Sequence, residues 1–428
     1  MKKKTEKPKR ELTKRQLSRW QQRKKRQRII LGSGILVIVA VLSVIGAGFY
    51  NRWYIPEYKP LHQAVIKVND TKFDMDYYIK MLKYYGVGTY YQMGMSVQEM
   101  FNLADEVVKA IERDELIRQE AMALGITVSD KEVDEELSSY DPPLSKDYRD
   151  MFRTQMLLDR LRDEYFDKEV PTIAEQRHMW AMFLESQSQA NEVRARLEAG
   201  EDFSKLAGEL SLDTTCKTKE GDLGWRPEGV LTLMFETPAL DEYAFSSEAG
   251  VLSQPIFEET KTKMVGYWLI KVIERDEEAK TASVKVMLLG SEQEANEVSA
   301  RLEAGEDFAT LAKELSQHDA SKENGGDFTV SSQDTMSSAF SDFVFSSEPG
   351  VLSQPIRDDT VSTKGGYWLV KVVDIDNNRQ ITDDDRGLLK SDALNKWVKA
   401  LEDDPKNKVE SYLDDEKKTW AIWHAIGG

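Results

Sequence analysis

Hydrophobic and polar positions divide the chain into zones of different period. Residues 29–50, IILGSGILVIVAVLSVIGAGFY, run for 22 residues without a charge. At ~1.5 Å per residue, a helix of that length crosses a ~30 Å hydrocarbon core, so a transmembrane helix is predicted. Residues 51–63, with Pro56 and Pro60, read as a linker beyond it. A short apolar strand follows over residues 64–68, then a turn at Asn69-Asp70, then a helix capped by Asp74 and running to Lys83. Ser96 and Glu99 form a capping box that opens a long helix. In it Phe101, Leu103, Ala104, Val107, Val108, Ile111 and Ile117 keep a helical period until Gly125. Ser129 and Glu132 repeat the box for a helix to Ser139, Pro142-Pro143 breaks the chain, and Ser145 opens a helix to Phe166. Near the end Thr382 caps a helix whose Leu389, Ala393, Leu394, Trp397 and Leu401 share a face, with Trp420 and Trp423 beyond.

Between these helical zones the pattern repeats itself. Residues 190–203, ANEVRARLEAGEDF, return as residues 295–308, ANEVSARLEAGEDF, with Arg194 exchanged for Ser299. An offset of 105 residues exceeds the roughly 20–50 residues of solenoid units and points to two tandem copies of one small domain. Gly221-Asp222 recurs as Gly326-Asp327, and Phe235 maps to Phe340. The offset then falls to 100: FSSE at Phe245 recurs at Phe345, VLSQPI at Val251 recurs at Val351, and GYWL at Gly266 recurs at Gly366. The first copy therefore carries five extra residues between Phe235 and Phe245, in a predicted surface loop.

Charge sharpens the membrane reading. Residues 1–28 hold fourteen Lys and Arg against two Glu, which leaves 44 bases and 73 acids after them. The basic segment 1–28 is expected in the cytoplasm by the positive-inside rule, which sends the bulk of the chain outside. Tyr50, Trp53 and Tyr54 then stand where an interfacial aromatic belt would. A cleaved signal peptide is the competing reading. The basic region is long, the apolar run exceeds the ~7–15 residues of a signal core, and no A-x-A site follows. With no Cys near the run, a lipoprotein anchor is excluded. The net negative charge beyond residue 28 argues against nucleic-acid binding there, and anionic lipid is the expected partner of the basic end. His62, His178, His318 and His424 show no metal-ligand spacing, so no metal and no cofactor are expected. The single cysteine, Cys216, precludes an intrachain disulfide and reads as a surface thiol in a polar loop.

The repeated blocks resemble the parvulin family of peptidyl-prolyl isomerases, in GEDF, the following Ser211 and Ser316, the Gly-Asp turn, Phe235 and Phe340, the VLSQPI segments and a last strand beginning Gly266 or Gly366. Residues 64–172, with AVIKVNDTKF and LIRQEAMALGITVSDKEVDEEL, resemble the N-terminal chaperone domain of SurA-like and PrsA-like foldases. The resemblance implies an α+β chain: a transmembrane helix (29–50), a linker (51–63), a helical SurA-like domain (64–172), two parvulin domains (173–276 and 280–376), each a small antiparallel sheet with flanking helices, and a C-terminal helical segment (380–428) that returns to the N-terminal domain.

Twisting an X-Pro bond must overcome ~18–20 kcal/mol and takes ~10–100 s unaided, and a catalyst needs no cofactor for it. It needs an apolar cleft for the ring and groups that favour the twisted amide. The resemblance puts the cleft at Leu231 and Phe235 in the first copy and at Met336 and Phe340 in the second. It puts Asp213 at the acidic catalytic position, where the second copy has His318. Parvulins place two histidines beside these groups. Here the first is replaced by Ala181 and Val286, and the second, in the last strand, by Trp268 and Trp368. His178 lies three residues before Ala181; an odd offset along a strand points to the other face, so it serves only if a bulge shifts register. A cleft without imidazoles favours binding of unfolded or proline-containing polypeptides with weak or lost isomerisation. A fully active isomerase and a non-catalytic structural protein are the alternatives. Tryptophans that fill both clefts would leave these domains a scaffolding role.

Overall fold

The protein is described by a computed structural model covering residues 14–276, 278–334 and 336–427, with side chains from residue 21 onward except residue 22. Residues 1–13 of the basic segment lie outside the described residues. A helix over Lys14–Phe49 carries the uncharged run and continues through a wide-turned stretch, Tyr50–Tyr58, to Leu61. Most of the stretch read as a linker is therefore helical. Around Pro56 the bonding widens to five residues, as in Lys59 N to Tyr54 O, and this relieves the clash a proline ring makes in a regular turn. Among the described residues this is the one helix long and apolar enough to cross a membrane.

The rest forms two compact units, residues 1–161 with 396–428, and residues 162–395. In the first, β1 (Ala64–Val68) and β2 (Thr71–Asp74) make a hairpin whose turn residue Asn69 has φ 54°. Both capping boxes form: Ser96 and Ser129 cap helices Val97–Ala123 and Asp130–Ser139, with Glu99 and Glu132 bonded back. A strand from the other end of the chain, Val409–Ser411, pairs antiparallel with β1. The core joins Val65, Tyr78, Leu82, Val107 and Ile111 to Ala421 and Ile422 of helix Asp415–Ile426. Phe101, Leu103, Ala104, Val107, Val108 and Ile111 of the long helix thus face this core, and Ile117 is buried outside it.

The second unit holds both copies. Its strands are β3 (Ile173–Leu184), β4 (Asp222–Pro227), β5 (Ile256–Lys263), β6 (Gly266–Asp276), β7 (Thr281–Leu289), β8 (Asp327–Ser331), β9 (Ile356–Asp358) and β10 (Thr363–Gln380). They form two four-stranded sheets, ordered β4-β3-β10-β5 and β8-β7-β6-β9. The last strands are exchanged. β6, which ends the first copy in sequence, lies between β7 and β9 of the second; β10, which ends the second, lies between β3 and β5 of the first. The VLSQPI segments follow the same crossing: Ser253 N donates to Val370 O and Ser353 N to Ile270 O, both at 2.8 Å. One module is thus contiguous, from β6 to β9, and sits as an insertion between β5 and β10 of the other.

Loop length explains the exchange. β6 and β7 are joined by a tight hairpin whose described turn residues are 278–280, where the Asp276 carboxylate accepts from the amides of Glu278 and Ala279 at 3.0 and 2.8 Å. So short a closure costs little entropy, whereas returning β6 to β3 would close a much longer loop. Between β5 and β6 stand only Met264 and Val265, neither a turn residue, and Val265 is buried. The chain passes straight from one sheet to the next instead of folding back. Gly366 marks how closely β10 lies on its adopted sheet: a Cβ there would stand 2.5 Å from Phe183 Cζ.

Candidate functional site

Strand alternation sets each side of β3. Met179, Ala181 and Phe183 face one core, while Met182 and Leu184 face the opposite one with Ala190, Val193 and Leu206 of the helices behind. His178 takes the other parity from Ala181. It is partly exposed, 2.8 Å from the Asp222 carboxylate and stacked on Trp225, and takes no part in the cluster around Ala181.

Ala181, Leu231 and Phe235 are brought together, and the tryptophan that joins them is Trp368, not the Trp268 of their own copy. Trp368 sits opposite Phe183 in the β3–β10 register, with ring centroids 4.8 Å apart, and meets Phe235 edge-on at 5.4 Å. Ala181, Leu231 and Trp368 have no accessible surface and Phe235 keeps 6%. The indole fills the space between these side chains, and its buried Nε1–H has no acceptor among the described residues.

Asp213 closes this cluster from one side. Its carboxylate caps the short helix Thr214–Thr218, accepting from Cys216 N at 2.8 Å, and pairs with Lys261 Nζ at 2.9 Å. The Lys261 ammonium lies 5.2, 5.5 and 5.8 Å from the ring centroids of Trp368, Phe235 and Phe183. It reaches inward from β5 where the β5–β10 register shifts between Lys364 and Gly366. A cation over three rings, neutralised by one carboxylate, is a stable arrangement for a buried ammonium. Cys216, expected at the surface, is buried in this core, and burial together with the Asp213 carboxylate raises the pKa of its thiol far above the usual range. Helix packing over the loop accounts for the difference.

The second cluster mirrors the first with the tryptophans crossed. Trp268 packs with Val286 and Phe340, all at most 1% exposed, and half-buried Met336 lies against them. Trp268 meets Phe340 edge-on at 5.0 Å and donates Nε1–H to the Asp358 carboxylate at 3.0 Å. His318 stands edge-on to Trp268 at 5.1 Å, with Nδ1 2.9 Å from Ser321 Oγ. Burial lowers its pKa, so the fold favours the neutral ring. Val361, three residues past the β9 end, takes the place of Lys261.

Sequence reasoning missed three participants: Lys261, Asp358 and the crossing of the tryptophans. The crossing had a signal in the absence of turn residues at Met264-Val265; the other two lie in a segment where the copies differ in sequence. A groove of about 790 Å³ lies between the modules, lined by Lys263, Glu294, Gln317 and Lys364 among others, and it does not reach the tryptophans. Lys263 donates to the carbonyls of Lys364 and Gly365, tying β5 to β10, and burial lowers its pKa to about 8.

Family profiles match the chain in three places: a PPIC-type PPIASE domain over residues 184–274, a second over 267–376, and a SurA-like N-terminal domain over 22–161. The chain belongs to the SurA/PrsA-like parvulin foldases. Residues 267–274 of β6 fall within both parvulin matches, which agrees with a strand that follows one copy in sequence and completes the other in space. Among its relatives, "Foldase protein PrsA" of Caldanaerobacter subterraneus is 34% identical over 39% of this chain and 56% of that protein. The same-named protein of Geobacillus kaustophilus is 30% identical over 42% of this chain and 66% of its own length. "Chaperone SurA" of Alcanivorax borkumensis is 27% identical over 70% of this chain and 65% of that protein. The chain thus spans about half to two thirds of the length of the curated relatives it matches.

Proposed function

We propose that this is a membrane-anchored foldase acting outside the cytoplasm, which binds unfolded, proline-bearing polypeptide and isomerises prolyl bonds weakly or not at all. The observation that carries the reading is the burial of Trp368 and Trp268 among the rings of the two candidate clefts. Leu231 and Phe235, or Met336 and Phe340, would receive a prolyl ring only after the indole left its place. Neither cleft holds the pair of imidazoles that parvulins use; the second holds His318 alone, with its pKa lowered. The filling favours a scaffold role for the two modules, with polypeptide held by the SurA-like domain.

The anchor is the helix that carries residues 29–50. Its length and the excess of Lys and Arg in residues 1–28 support a single span with the N-terminus in the cytoplasm.

A protease-coupled isomerisation assay on the detergent-solubilised chain tests the catalytic half. The expected rate equals that of the blank, on the ~10–100 s scale of the free peptide bond. A rate that rises with protein concentration and is lost in Phe235→Ala would overturn it. The same preparation is expected to suppress aggregation of a reduced, unfolded client, and failure to do so would remove the binding half.

A further inference from the structure

Helix Val87–Gln92, the loop after it and the first residue of helix Val97–Ala123 carry a run of uncovered apolar groups. Tyr90, Tyr91, Met93 and Val97 are 43, 41, 77 and 64% exposed, and Trp423, on helix Asp415–Ile426, is 54% exposed. The two helices meet here: the Tyr91 and Trp423 rings lie edge-on at 5.9 Å, Gly88 lies against the backbone of Ala425 and Ile426, and exposed Met93 follows Tyr91 by two residues. Contiguous exposed patches of this kind mark contact sites.

Its position says what covers it. His424, the neighbour of Trp423, places Nε2 3.4 Å from the Glu57 carboxylate, on the helix that leaves the apolar run. Glu57 follows Tyr50 by seven residues, at most about 10 Å along a helix axis. The polar head groups extend roughly 5–8 Å beyond the hydrocarbon core on each side. With residues 29–50 spanning the bilayer, the contact holds the Trp423 helix near the outer edge of the head-group layer, within side-chain reach of it. Trp and Tyr, with an apolar body and a polar edge, are the residues that settle there. Trp53 and Tyr58 of the stalk, 44 and 38% exposed, extend the same belt.

We infer that this Tyr-Met-Trp surface docks on the phospholipid head-group layer beside the span, so that the SurA-like domain lies against the membrane instead of swinging on a stalk. The inference rests on the anchoring proposed above. The His424–Glu57 contact, which joins the helix of Trp423 to the stalk leaving the span, favours lipid over a soluble partner as the occupant.

The test uses the full chain in vesicles of phosphatidylcholine and phosphatidylglycerol, some carrying a nitroxide on the head group. Met93→Cys, labelled with a nitrobenzoxadiazole dye, is expected to lose most of its emission in the nitroxide vesicles. Adding Tyr91→Ser and Trp423→Ser is expected to restore it while the chain still resists extraction at alkaline pH. An unquenched label on a chain that resists extraction would overturn the docking and leave the anchor standing. A chain that washes out at alkaline pH would overturn both. A label indifferent to nitroxide lipid but shifted by reduced casein would assign the surface to polypeptide clients and overturn the docking.

Discussion

Trp368→Ala is expected to destabilise the sheet built on the first copy, although Trp368 belongs to the second. Truncating a fully buried tryptophan costs about 3–5 kcal/mol, a large share of the 5–15 kcal/mol that hold a typical domain together. The loss falls where the indole's contacts are, on Phe183 and Phe235. Native-state hydrogen exchange reads it directly: amides of Ile173–Leu184 should lose protection before those of Thr281–Leu289. Trp268→Ala should do the reverse, through Phe340 and the lost bond to Asp358. Equal loss in both strands for both variants, or loss confined to the mutated residue's own copy, would count against this packing.

Lys261 carries the second large effect. The pair with Asp213 is nearly buried, the side chains keeping 16 and 10% exposure. Removing one partner of a fully buried pair costs about 3–5 kcal/mol because the other charge is stranded; the residual exposure here reduces that to about 2–3 kcal/mol. Lys261→Met leaves Asp213 facing three rings and should destabilise by that amount. The double variant Lys261→Met with Asp213→Asn removes both charges, and asparagine still caps the helix at Thr214, so most of the loss should return. Denaturant unfolding of the four variants gives the coupling directly. A double variant no more stable than Lys261→Met would mean that the lysine stem, rather than the charge pair, supports the cluster.

Much of this architecture was legible in the residues. The capping boxes at Ser96 and Ser129 are local chemistry and formed where Ser and Glu stand three apart. Strand parity separated Ala181 from His178 without any structure, since alternation along a strand is a geometric property of the backbone. The twin blocks announced two modules because near-identical sequences fold alike. Strand partnership was not legible in the same way: GYWL is the same in β6 and β10, so nothing in the strand itself says which sheet it joins. The choice sits in the connections, a tight hairpin after Asp276 and a turnless Met264-Val265, whose effect is non-local. Lys261 was hidden for a related reason: its inward reach depends on a register shift against Gly365, which no periodicity reports. Cys216 looked polar from its neighbours and is apolar in its surroundings, because a five-residue helix turns it into the core.

The exchange of last strands underlies the crossed tryptophans, on which the proposal of weak or absent isomerisation rests. Paired cysteines test it most directly. Trp180 lies opposite Lys371 across β3 and β10, and Lys271, its equivalent in the first copy, lies opposite Lys285 in the other sheet. Under mild oxidation Trp180→Cys with Lys371→Cys should close a disulfide in the folded full chain, and Trp180→Cys with Lys271→Cys should not. The opposite outcome, a bridge from 180 to 271 and none to 371, would show each copy closed on its own last strand and would contradict the fold described.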